Sequence, residues 1–199
     1  MGASAKAAEG PVDLSNDDLL VLFVRGDQAA AAALTARLAP RALAVAMRMM
    51  GNRAEAEDIT QEAMIRLWRM APDWQPGKAQ VSTWLYRVVS NLCIDVKRRA
   101  RGGTLGLDDV SEPADNAASA LEALQQQTRH DALQQALMQL PVRQRQAVVL
   151  RHIEELSNPE IADIMDIGVE AVESLTARAK RGLAKALAAR KEELGYTDG

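Results

Sequence analysis

The sequence predicts an all-α protein made of two small helical domains joined by a flexible acidic linker. Three observations lead there. Apolar residues recur with helical spacing through nearly the whole chain, and no run of alternating β-branched residues suggests a strand. Gly26, Gly51, the Pro72–Gly77 stretch and Pro141 break the pattern at intervals suited to short connections. Between Gly102 and Ser119 stand three glycines, one proline and four acids (Asp108, Asp109, Glu112 and Asp115) without a base, a composition that cannot bury a core.

Taken in order, the helices are expected over Ser15–Val24, Gln28–Met50, Arg53–Met70 and Val81–Arg101, then Ser119–Leu140, Val142–Glu155, Ser157–Met165 and Val169–Leu194. Residues 1–13, rich in Ala, Ser, Lys and Glu, form a loose tail. The first domain then covers 14–101, the acidic linker 102–118 and the second domain 119–194.

Composition excludes several classes. Of 199 residues 48% are apolar and 26% charged, which a disordered or low-complexity chain would not show. Arg37, Arg41 and Arg48 interrupt the alanine-rich stretch Ala29–Met50, so no uninterrupted apolar run spans a bilayer, and Met1–Gly10 lacks the basic start and apolar region of a signal peptide. The single cysteine, Cys93, makes neither an internal disulfide nor a cysteine-based zinc site, which fits a reducing, cytoplasmic setting.

In the first domain, Leu85, Val88, Val89, Leu92 and Val96 make a core stripe with Cys93 at its edge. The opposite side carries Arg87, Ser90, Asn91, Arg98 and Arg101. From Thr83 to Arg101 there are five bases against one acid, in a chain whose formal charge is −3. Such segregated charge, which includes Lys97, attracts phosphate, although a cationic helix end also complements its own dipole. Four of the six aromatics (Trp68, Trp74, Trp84 and Tyr86) cluster nearby, with Trp68 and Trp84 expected in the core. Trp74, in the Asp73–Thr83 loop, is open to either core packing or base stacking. On the preceding helix, Ile59, Ala63, Met64, Leu67 and Trp68 occupy one half. Asp58, Gln61, Glu62, Arg66 and Arg69 cover the other, with Ile65 among them as a small protein-contact spot or a harmless surface isoleucine.

In the second domain, Ser157-Asn158-Pro159-Glu160 is a capping box with proline in the first turn. Ile161, Ile164 and Met165 form an inward stripe, Asp166-Ile167-Gly168 makes a tight turn, and a second helix begins near Val169. There Val172, Leu175, Ala179 and Leu183 face inward, opposite Glu170, Ser174, Ala177 and Arg181, with Glu173 and Arg178 at the flanks. Six bases and no acid lie between Arg178 and Lys191. The layout is that of a DNA-reading helix-turn-helix, or of a plain helical hairpin with a solvated basic face.

These segments together resemble the bacterial sigma-70 family of RNA polymerase sigma factors. Ala56-Glu57-Asp58-Ile59-Thr60-Gln61-Glu62 with Leu67-Trp68-Arg69, then Ser82-Thr83-Trp84-Leu85-Tyr86-Arg87 with Asn91 and Asp95, are similar to the sigma-two domain. Leu140-Pro141-Val142-Arg143-Gln144-Arg145 and Glu155-Leu156-Ser157-Asn158-Pro159-Glu160-Ile161-Ala162 are similar to the sigma-four domain. With only those two domains, the chain resembles the extracytoplasmic-function (ECF) group over roughly Leu14–Leu187.

The resemblance implies partners and roles. Asp58, Gln61, Glu62 and Ile65 would bind the β′ clamp helices of core RNA polymerase, with the β subunit as a further partner. Asn91 and the Asp73–Thr83 loop with Trp74 would hold a flipped base of the minus-ten promoter element, beside Arg87, Lys97, Arg98 and Arg101 on the DNA backbone. Glu170, Ser174, Ala177, Arg178 and Arg181 would enter the major groove at the minus-thirty-five element. The linker would thread toward the polymerase active centre, and an anti-sigma factor of a stress response would be the inhibitor.

The chain departs from the family at Asp166, where glycine is usual and a left-handed backbone is easier. It departs also at Gly168, where serine is usual, and at Glu173 and Leu175, where bases are usual; promoter sequence is therefore not carried over. The alternative reading is a stand-alone helix-turn-helix regulator. No catalytic constellation, cofactor motif or metal-ligand spacing is present: His130 and His152 are isolated, and Ser157 is explained as a cap.

Overall fold

The computed structural model describes residues 14–102, 120–188 and 190. Among them the secondary structure is helical without strands: α1 Asn16–Val24, α2 Gln28–Met50, α3 Arg53–Met70, a 3-10 turn Ala71–Asp73, α4 Val81–Gly102, α5 Ala120–Gln139, α6 Val142–His152, α7 Asn158–Met165 and α8 Val169–Ala188. The expected tail at 1–13 and nearly all of the expected linker lie outside the described residues.

Helix starts follow local chemistry. The Asp27 carboxylate accepts from the Ala29 and Ala30 amides and opens α2, and Asn52 caps α3 through the Glu55 amide. Ser15 and Asp18 form a capping box on α1. Gly51 ends α2 at φ +76°, where a side chain would be strained and would strike Met138.

Helix α2 is the central post, in contact with α1, α3, α4, α5 and α6. It is long and apolar enough by composition to cross a membrane, yet Leu34, Leu38, Ala42, Val45, Ala46 and Met49 are buried against its neighbours and Arg37, Arg41 and Arg48 punctuate it. Phe23 and Trp68 close the α1–α3 side as a tilted pair 4.7 Å apart. One continuous buried cluster includes residues of both halves, from Leu19 to Ala179.

Helix ends and two side-chain placements differ from expectation. Helix α6 stops at His152 rather than near Glu155, because Glu155 adopts φ +54° in the turn toward α7. Helix α8 is described to Ala188, and the Arg190 guanidinium, in a turn beyond it, donates to Gln135 of α5 at 2.6 Å; the expected stretch 191–194 lies outside the described residues. Cys93 sits in the core at 0% exposure, not at its edge. Ser90, expected on the outer side of α4, is equally buried; α4 packs on α7 as well as on α1, α2 and α3, so a one-sided helix wheel misplaces it.

Candidate polymerase and nucleic-acid interfaces

Three faces hold the expected functional residues. On α3, Asp58 and Gln61 are exposed and Ile65, at 36% exposure, is one of few large apolar side chains so open to water among the described residues. Glu62 is half-buried and paired with Arg66 at 2.7 Å, one helical turn along. On the inner side Ala56, Ile59, Ala63, Met64 and Leu67 are buried. The outer face therefore sets two carboxylates, Asp58 and Glu62, and two guanidiniums, Arg66 and Arg69, around one apolar centre on a rigid helix, a mixture suited to a protein contact.

On α4 the outcome is mixed. Asn91 is exposed, and Arg98 is exposed with an ion pair to Asp95 at 3.0 Å. Lys97 donates to the Met50 carbonyl at 3.2 Å, so its ammonium serves the C-terminal end of α2. Arg87 is exposed but its guanidinium donates to the Asp163 carbonyl on α7. The side chain of Arg101 lies outside the described residues. Trp68 and Trp84 pack on the core as expected. Trp74 also packs there, half-buried, and its indole Nε1 donates to Asp17 Oδ1 at 3.0 Å. Asp17 is a positioning residue that nothing in its sequence context marked beyond its place in the first turn of α1. Beside Trp74, Val21, Val24, Arg25, Ala71 and Pro72 line a shallow cavity of about 160 Å³.

Helices α7 and α8 form the hairpin the capping box announced. Ser157 N donates to Glu160 Oε2 at 2.8 Å, Ser157 Oγ to the same oxygen at 2.6 Å, and Glu160 N to Ser157 Oγ at 3.5 Å. These bonds hold the Glu160 carboxyl below its ordinary pKa. Asp166 takes the left-handed conformation, φ 53° and ψ 56°, that glycine usually supplies; a short polar side chain tolerates it. Val172 and Ala179 are buried, Leu175 and Leu183 half-buried, and Thr176 is a further inward residue. Glu170, Ser174, Ala177, Arg178 and Arg181 are all exposed, on one side of a helix with a buried opposite face. Glu173 accepts from Asn158 Nδ2 at 3.3 Å, tying the tip of α8 to α7.

Comparison with known proteins fits this geometry. The Sigma-70 region 2 model matches residues 34–102, and the Sigma-70, region 4 model matches 130–183. ECF RNA polymerase sigma factor SigW of Bacillus subtilis is 33% identical over 172 residues, which cover 82% of this chain and 91% of SigW. The chain belongs to the ECF sigma factors. SigM of Mycobacterium tuberculosis, another such sigma factor, is 35% identical over 179 residues, covering 89% of this chain and 87% of its own. The structure of CnrH in complex with the cytosolic domain of CnrY superposes with a TM-score of 0.64 at 26% identity, covering 87% of this chain and 97% of that one. The sigma factor RpoE in complex with the anti-sigma factor NepR from Bartonella quintana shares the fold, with a TM-score of 0.62 at 21% identity over 77% of this chain and 93% of that one. This sigma factor directs transcription initiation by RNA polymerase, and a stand-alone regulator is not favoured.

Proposed function

We propose that the sigma factor uses three separate faces: α3 for core polymerase, the outer side of α4 for melted minus-ten DNA, and α8 for the minus-thirty-five duplex. The observation that carries this reading is the exposure of a coherent outer face on α3 and another on α8, each backed by a buried apolar side. Asp58, Gln61 and Glu62 supply charge and hydrogen bonding around Ile65. Asn91 presents an amide that donates and accepts, suited to the edge of an extruded base, and Trp74 is held by Asp17 at the loop before it. Arg98 and Arg101 supply phosphate neutralisation near the end of α4. On α8 the basic second half meets backbone while Glu170, Ser174 and Ala177 approach base edges.

The two domains are assigned to 14–101 and 119–194, with 102–118 as tether. The setting is cytoplasmic, and the sigma factor contributes binding rather than catalysis: Cys93 is fully buried with its thiol pushed up to about 12, and Ser157 is occupied as a cap. Regulation by an anti-sigma factor in a stress response is part of this reading, and the likeness to RpoE of Bartonella quintana, whose structure holds the anti-sigma factor NepR, supports such a partner. The test is binding of core polymerase and run-off transcription with Asp58→Arg combined with Glu62→Arg. The doubly substituted protein should unfold at the wild-type temperature, since both positions lie on the outer face, yet lose core binding. Retained binding would overturn the α3 assignment.

A further inference from the structure

Glu173 stands exposed in the second turn of α8, on the flank of the outer face nearer α7. Its Oε1 accepts from Asn158 Nδ2 at 3.3 Å, and its Oε2 has neither a hydrogen-bond nor an ion-pair partner among the described residues. Asn158 is half-buried at the start of α7, directly after the Ser157 cap. A fixed helix start therefore holds one oxygen of the carboxylate and leaves the other open to a ligand. Val169, one turn earlier on α8, is 39% exposed and one of few large apolar side chains so open among the described residues. Residues four apart lie side by side on a helix, so the tip sets an open valine beside a carboxylate anchored on one side.

An ionised carboxylate accepts hydrogen bonds and donates none. Major-groove edges differ in what they offer such a group. Guanine presents N7 and O6, and thymine presents O4, all acceptors that repel it. Adenine presents the N6 amino group, but beside the N7 acceptor. Cytosine presents its N4 amino group with no acceptor on the same base. A glutamate carried into the groove opposite any base but cytosine gives up its water without a good replacement, so it penalises three bases as well as favouring one. The bond from Asn158 reduces the side-chain freedom lost on contact, and Val169 keeps water away from the new bond.

We propose that Glu173, positioned by Asn158, is a specificity residue that selects a cytosine in the minus-thirty-five element by accepting from its N4 amino group. The inference rests on the reading of α8 as the helix that enters the upstream duplex, and adds the base that one of its side chains selects.

The test is run-off transcription by core polymerase reconstituted with the full chain, on a promoter library randomised across the minus-thirty-five element, with the transcripts sequenced. The wild type should favour cytosine about tenfold at one position. Glu173→Gln replaces an acceptor-only group by an amide that pairs with adenine N6 and N7, and should turn that preference to adenine. Glu173→Ala should flatten that position alone, and Asn158→Ala should weaken its cytosine preference while the rest of the element is read as before. Glu170→Gln, the same chemical change at a neighbouring exposed carboxylate, should leave the cytosine in place. Circular dichroism checks that each variant is folded. A Glu173→Gln pattern identical to wild type, a base other than cytosine at the position that responds to Glu173, or a shift of that position by Glu170→Gln would each overturn the proposal. An Asn158→Ala pattern identical to wild type would overturn the positioning by Asn158. Transcription indifferent to the whole minus-thirty-five element would overturn the reading of α8 itself, and the proposal with it.

Discussion

Arg145 provides the sharpest energetic test of the fold. The residue is only 4% exposed, and its guanidinium donates to four carbonyls: Leu137 at 2.7 Å, Met138 at 2.8 Å, Leu140 at 3.1 Å and Met49 at 2.6 Å. Replacement by alanine leaves those acceptors in a void. A hydrogen bond to a charged group contributes about 1.5–3 kcal/mol, and an orphaned buried acceptor costs about 1–3 kcal/mol. These terms do not add, because water enters and neighbouring side chains relax, so Arg145→Ala should cost about 3–5 kcal/mol. At this chain length that lowers Tm by about 10–15 °C. Arg145→Lys keeps the charge but loses the planar fork, and should recover only part of the loss. Urea unfolding followed by far-ultraviolet circular dichroism, with the m-value checked for constancy, measures both. A change below about 0.5 kcal/mol for Arg145→Ala, or Arg145→Lys equal to wild type, would refute the assignment of stability to the fork.

Two further outcomes are expected. Ser157→Ala should destabilise the fold by about 1 kcal/mol by removing the cap of α7. Because the folded Glu160 carboxyl is held below its unfolded pKa, its contribution is present above that unfolded value and is lost as pH falls through the folded one; acid titration of stability should therefore be shallower in Ser157→Ala. Arg181→Ala should weaken duplex binding and reduce the log–log salt slope by about 0.9, measured by fluorescence anisotropy across a salt series; an unchanged slope would remove Arg181 from the footprint.

Much of this architecture was legible in the residues. Periodicity locates all eight helices because each buries one apolar stripe, and the Ser157–Glu160 box marks the start of α7 through chemistry contained in four residues. The polar outer face of α3 and the outer side of α8 follow from the same wheels. Contacts between segments far apart in the chain were not legible. Ser90 looks outward until α7 is placed on α4, and Arg87 and Lys97 look like phosphate ligands until carbonyls of other helices claim them. Arg145 belonged to a motif that marked kinship, but its work at four carbonyls depends on where α2 ends. Trp74 was undecided between core and stacking, and its bond to Asp17, 57 positions away, has no local signature.

The carboxylates at the tip of α8 bear on how such a reader finds its target. Its first five residues carry Glu170 and Glu173 and no base, and one oxygen of Glu173 accepts from Asn158. On the proposed reading, an anionic fingertip would be repelled by the sugar–phosphate rails, so attraction of α8 to arbitrary DNA would rest on its basic second half alone. Delivery by a large carrier already seated on the template removes that handicap, since a linked site behaves as though present at about millimolar concentration. Discrimination at the upstream element would then rest on shape and hydrogen bonding at the tip, with phosphate contacts left to the basic turns behind it.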